Sequence, residues 1–174
     1  MKKLFALLLA LGLLCSFAMA EEAEAIELSW DSVSDEVKAL GSFQQIDMQD
    51  LGKIVYWVPQ NMDAQDVSEI GAEGLVAAFA TADGAYTISV YGLVIADGWE
   101  AYVAGLGVTE ENAKLVITNG IQAIGFEQEE QGIDMVIIPV NDTTVIVYAF
   151  TPLNGDEDWD AAKAAIVASI QAAE

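Results

Sequence analysis

The chain has 174 residues, with 28 acidic against 6 basic side chains, no histidine, one cysteine and a net charge of −22. That balance excludes the basic stripe that nucleic acid or an anionic membrane surface requires, and with no arginine there is no bidentate fork for phosphate or carboxylate. Without histidine, the common general bases and most zinc and transition-metal ligand sets are also absent.

Residues 1–20 read as an export signal. Lys2 and Lys3 supply the charged start, Leu4–Phe17 the apolar stretch, and Ala18-Met19-Ala20 a small-x-small cleavage site. The apolar run is short for a membrane span, which needs about 20 residues. Cys15 follows Leu13 and Leu14, where a lipid-attachment motif needs a small residue, so it reads as a hydrophobic residue that leaves with the signal. Cleavage after Ala20 removes 20 of 174 residues and leaves 154, a single-domain length with no cysteine. Its four lysines, Lys38, Lys53, Lys114 and Lys163, then face all 28 acids, for a net charge of −24. The expected address is secreted.

Glu21–Glu27 has neither a cap nor an apolar stripe and reads as a mobile acidic leader, with Ile26 and Leu28 beginning to join a single α+β domain over 28–174. Asp31 is placed to cap a helix carrying Val33, Val37 and Leu40, which Gly41 would end; Trp30 would staple its first turn. Phe43–Met48 and Lys53–Val58 form a hairpin pair, with Pro59 as its stop. Asn61–Gly74 is a polar connection with a turn of helix at Asp66–Ile70. Leu75–Ala82 and Ala85–Tyr91 flank Asp83-Gly84, a hairpin turn signal. Asp97 would cap a short helix with Trp99, Tyr102, Val103 and Leu106 on one face, ended by Gly107.

Four consecutive antiparallel strands follow over Lys114–Thr151. Lys114–Thr118 and Ile121–Glu127 are joined by Asn119-Gly120, where a type I′ turn needs positive φ at both residues. Beyond the polar reversal at Gln128–Gly132, Ile133–Val140 and Thr143–Thr151 are joined across Asn141-Asp142. Both of these strands are apolar on both faces, so layers are expected above and below them. Pro139 cannot donate to a ladder and belongs beside a turn or on an edge. On this assignment Thr118→Val costs much less than Gly120→Val, unless the Thr118 hydroxyl is bonded. A last helix begins near Asp156–Asp160, with Trp159, Ala162, Ile166, Val167 and Ile170 on one face. The expected fold class is α+β, one antiparallel sheet with helices packed on its faces in an α/β/α sandwich.

Leu28-Ser29-Trp30-Asp31, Ile54–Pro59, Gly74–Val90, Thr118-Asn119-Gly120-Ile121 and Ala168-Ser169-Ile170-Gln171 together resemble the PsbP-like fold. More narrowly, the chain is similar to small exported proteins of gut Firmicutes. The resemblance implies an α/β/α arrangement and a non-catalytic binding or assembly role; it assigns no functional residue.

Two chemistries survive the composition: a carboxylate pair of glycosidase type and an oxygen-ligand calcium site. Asp156-Glu157-Asp158-Trp159-Asp160 has the alternating acids of a calcium loop, but Ala161 stands where glycine is needed and Val167 where the bidentate glutamate is. These acids are expected to cap the last helix instead. Trp30, Trp57, Trp99 and Trp159 could stack on sugar rings, yet all have apolar neighbours and read as packing residues. No catalytic, cofactor-binding or metal-binding residue is assigned, and no cofactor. The expectation is an exported, acidic, non-catalytic binding or surface-associated module with a cationic or neutral extracellular partner. The alternative is a carboxylate-dependent hydrolase of extracellular glycan.

Overall fold

The computed structural model describes residues 25–48, 52–109 and 112–172. The stretch 1–20, read as an export signal, lies outside the described residues. In chain order the elements are β1 (Ile26–Leu28), a 3-10 turn (Trp30–Ser32), α1 (Asp35–Lys38), β2 (Gly41–Asp47), β3 (Lys53–Pro59), β4 (Met62–Ala64), α2 (Val67–Ile70) and β5 (Leu75–Thr81). Then come β6 (Thr87–Val94), α3 (Trp99–Gly105), β7 (Ala113–Thr118), β8 (Ile121–Gln128), β9 (Ile133–Asn141), β10 (Thr144–Thr151), α4 (Glu157–Ala168) and β11 (Gln171–Ala172). The chain is a mixed α+β protein, mostly sheet with few helices.

The first helix is divided in two because two serines compete for its start. Ser29 Oγ accepts from Asp31 N at 3.3 Å, Ser34 Oγ accepts from Val37 N at 3.3 Å, and Val33 between them is extended. Asp31 is therefore not the cap. Gly41 opens β2 instead of ending a helix, and a Cβ there would overlap the Trp57 indole. The Asp83-Gly84 turn is also longer than its dipeptide suggests. Only Gly84 has positive φ, and Thr81 N donates to Tyr86 O at 3.0 Å around a four-residue loop. Asp83 Oδ1 accepts from the Thr81 hydroxyl at 2.7 Å and Ala85 N at 3.0 Å, which holds that loop. In α3 the N-cap is Gly98 at φ 83, a conformation open to glycine, so Asp97 stays outside the helix.

The four-strand meander is present as expected, in the spatial order β7-β8-β9-β10. Asn119 (φ 48) and Gly120 (φ 76) both take the left-handed conformation that a type I′ turn demands. A Cβ at Gly120 meets nothing within 4 Å, so the cost of a side chain there is purely that of its backbone. Gly120→Val is expected to lose about 1–2 kcal/mol of stability; a urea midpoint equal to that of the parent would contradict the turn. Pro139 lies past the end of the β8 pairing, which stops at Ile137, and beside a register shift between Thr144 and Val145.

One antiparallel sheet was expected, and the described residues form two. The larger has eight strands in the order β1-β7-β8-β9-β10-β6-β5-β4; the smaller has three, β11-β3-β2. β1 pairs with β7 in parallel, and it begins inside the segment read as a leader. The β2–β3 hairpin packs face to face on the large sheet instead of extending it. Tyr56 and Val58 are buried against Ile138, Tyr148 and Phe150 of the large sheet, with the Tyr56 and Tyr148 rings edge-on at 5.2 Å. Burial raises the pKa of both hydroxyls, and among the described residues neither has a hydrogen-bond partner. One face of the large sheet is thus covered by a second sheet together with Trp159 and Ile166 of α4. On the other face, Trp99 and Val103 of α3 pack with Ile124, Ile137, Val145 and Val147. Along β9 and β10, Met135, Ile137, Val145 and Val147 belong to this second core while the alternate residues Val136, Ile138, Ile146 and Tyr148 belong to the first, so both faces are covered as expected.

α4 is held from both ends. Asp156 Oδ1 accepts from Trp159 N at 2.9 Å, with Glu157 and Asp158 in the positive first turn. At its far end Thr118 Oγ1 donates to Val167 O at 2.8 Å, and Asn119 Nδ2 lies 2.9 Å from both Ala168 O and Ile170 O. The Thr118 hydroxyl is therefore bonded, and Thr118→Val is no mild change. Ser169 Oγ donates to Ile166 O at 2.6 Å and accepts from Trp57 N at 2.8 Å, tying the helix end to β3.

Candidate functional site

A cleft of about 480 Å³ opens where the end of β3 meets the start of α4. Trp57, Pro59 and Met62 line it from the small sheet and β4, Leu40 from the segment before β2, and Asp156, Asp158, Trp159 and Ala162 from the start of α4. Tyr86, just past the Asp83-Gly84 loop, stands between these walls.

Most polar groups of the cleft already have structural work. The Trp159 indole N–H donates to Pro152 O at 2.9 Å, and that of Trp57 to Lys38 O at 3.3 Å. Asp156 uses Oδ1 as the helix cap and accepts from the Tyr86 hydroxyl on Oδ2 at 3.1 Å. That bond raises the Tyr86 pKa above the usual range. The Tyr86 ring lies over Trp159 at 4.9 Å with the planes 30° apart. The surface offered is therefore aromatic and aliphatic, with Gln60, Asn61 and Asp158 exposed beside it. Both lining acids come from the start of α4, so the cleft does not set one carboxylate across from another.

The four tryptophans do not converge. Trp57 and Trp159 meet at this cleft, and Trp99 sits in the core of the opposite face. Trp30, expected as a staple, instead packs against Phe43 at 5.1 Å and Trp57 at 6.1 Å, with Lys38 Nζ 5.3 Å from its ring centroid. Asp156 of the calcium-like run is the N-cap of α4, and among the described residues no group of three or more acids is placed to hold a metal. Sequence reasoning did not find Leu40, Gln60, Asn61 or Tyr86. Tyr86 and Asp156 are 70 positions apart, and nothing local to either signals the pair.

A smaller groove of about 290 Å³ lies between β1, β7 and α4. Lys163 Nζ bridges Asp134 Oδ2 at 3.2 Å and Asp160 Oδ1 at 3.1 Å, and donates to Leu153 O at 2.9 Å; Lys114 pairs with Glu127 nearby. Burial raises the Asp134 carboxyl above its ordinary pKa, and Lys163 pulls the other way without cancelling the effect. A carboxyl raised in the folded state contributes stability at low pH, and that contribution is lost as pH climbs from the ordinary value near 3.8 through the folded one. Asp134→Asn is expected to flatten this part of the stability profile. Denaturant melts across that window check it, and parallel profiles for the two proteins would refute it.

Among the described residues, no helix is long and apolar enough to cross a membrane. No family model matches the sequence, and no curated protein matches it. Among solved structures, the chain is similar to cyanobacterial PsbP (CyanoP) from Synechocystis sp. PCC 6803, at 12% identity over 76% of this chain and 93% of that one, with a TM-score of 0.45.

Proposed function

We propose that the chain is an exported, acidic, non-catalytic binding module whose contact surface is the cleft between β3 and α4. One observation carries this reading. The cleft's indole N–H groups and its Asp156 carboxylate are engaged in structural hydrogen bonds, while Leu40 at its rim is 64% exposed. Such a surface binds by contact, and each Asp156 oxygen already accepts one structural hydrogen bond. The net charge of −22 favours a cationic or neutral partner. Export rests on the Lys2-Lys3 start, the apolar run and the Ala18-Met19-Ala20 site; a mature N-terminus at Glu21 is expected by mass spectrometry, and a lipid on Cys15 would overturn the address. The PsbP-like reading of the fold is supported by where its stretches fall: Ile54–Pro59 is strand β3, Asn119-Gly120 is the tight turn, and Ala168–Gln171 closes α4 onto the small sheet.

The binding reading is tested by amide chemical shifts of isotope-labelled protein titrated with a neutral chitin oligomer and with a lysine-rich peptide. Shifts concentrated at Gln60, Asn61, Asp158 and Ala161 are expected for at least one of them. Shifts absent at millimolar ligand, or spread evenly over the acidic surface, would overturn it.

A further inference from the structure

Of the four edges of the two sheets, three are very short. β1 and β4 end the large sheet with three residues each, and β11 ends the small one with two. β2 is different: it runs seven residues, Gly41–Asp47, with no strand paired beyond it among the described residues. Proteins blunt long edges with lysine, proline, a bulge or a covering element. β2 has no lysine and no proline, and its register against β3 is unbroken from Gly41–Pro59 to Asp47–Lys53. Ser42, Phe43, Gln44 and Gln45 are all exposed. In an outer antiparallel strand, alternate residues turn their N–H and C=O away from the neighbour. Among the described residues, none of Gly41–Ile46 exchanges a backbone hydrogen bond outside its sheet.

We propose that the β2 edge receives an extended basic segment of another protein, which adds a fourth strand to the small sheet. The occupant follows from charge. Gly41–Ile46 carries no charged side chain, so no ionic group stands in the way of main-chain pairing. In the segment that precedes the strand, Asp31, Asp35 and Glu36 are exposed; of the cations around it, Lys38 lies over the Trp30 ring and Lys53 stands across from Asp47 on β3. Lysine or arginine side chains of an added strand would meet these acids in the field of a chain of net charge −22. A second copy of the chain would bring the same negative charge to the contact. The edge also leads to the site already described, because Gly41 pairs with Pro59 and both Leu40 and Pro59 line the cleft. This inference rests on the binding-module reading and deepens it: the edge holds the partner's backbone, and the cleft rim meets what lies beyond.

The test uses the full-length protein and two short peptides of alternating lysine and valine, identical in charge, one of them N-methylated along one edge. At about 0.15 M salt, screening leaves close contacts and removes most long-range attraction. The unmodified peptide is expected to bind at least about tenfold more tightly, since N-methylation removes the backbone donors. It is also expected to slow hydrogen exchange at alternate amides of Gly41–Asp47. Gln45→Pro, which takes away an outward-facing donor at an exposed position, is expected to weaken binding about tenfold with an unchanged circular dichroism spectrum. The exchange measurement needs no variant, so it decides the matter even where Gln45→Pro does not fold. Equal binding of the two peptides, or unchanged exchange on β2, would overturn the proposal. So would protection of β2 that grows with protein concentration alone, which would make a second copy the occupant. Cleft shifts that persist with the chitin oligomer while β2 stays silent would end this inference and leave the module reading standing; silence at both places would end both.

Discussion

Trp159→Ala is expected to lower the unfolding free energy by about 3–5 kcal/mol, as large-to-small changes of buried aromatic residues do. The indole is 4% exposed and packs in the core between the small sheet and the large one. Phe150 lies 6.3 Å away edge-on, and Tyr86 leans over it at 4.9 Å. Truncation leaves a cavity that these rings cannot fill without moving, and it also orphans Pro152 O, which the indole N–H now serves at 2.9 Å. Trp159→Phe keeps most of the volume and loses the hydrogen bond, so about half of the effect should remain. Urea melts read the difference, and a loss below about 1.5 kcal/mol for the alanine variant would mean that the site collapses or was never tightly packed.

Thr118→Val combined with Asn119→Ala is expected to cost about 2–4 kcal/mol, because each leaves helix-end carbonyls without a partner. Thr118 is fully buried, and its hydroxyl serves Val167 O; the Asn119 amide serves Ala168 O and Ile170 O. Asn119 also holds φ at 48, which alanine tolerates less well. The damage should be local as well as global. Amides near the end of α4 should exchange faster in the variant than those of its first turn. Uniform acceleration along the whole helix would argue against a cap supplied by the hairpin.

What the sequence made legible was whatever has a local cause. Period-two alternation places β9 and β10 and assigns each residue to the correct face, and Asn119-Gly120 names its own turn. Asp156 could be read as a cap because a carboxylate stands before an apolar helical run. What was hidden depends on pairing across long separations. The parallel contact of β1 with β7, the short strands β4 and β11, and the division into two sheets have no signature within a few residues of where they occur. The cleft was hidden for the same reason, being assembled from several separate stretches of chain. The serines at 29 and 34 were visible as capping residues, but Asp31 between them is an equally good candidate on composition alone.

The tie between Trp57 N and Ser169 Oγ spans 112 positions, and β11 closes the small sheet against β3 over a similar separation. Contacts of this kind make folding slow, because the entropy of closing the long loop is spent before the contact returns anything. A nascent chain lacking its last few turns has a two-stranded hairpin, β2–β3, that is only marginally stable alone, and apolar strands without their cover. Removing Ser169–Ala172 should therefore slow refolding more than it speeds unfolding, if that closure forms in the transition state.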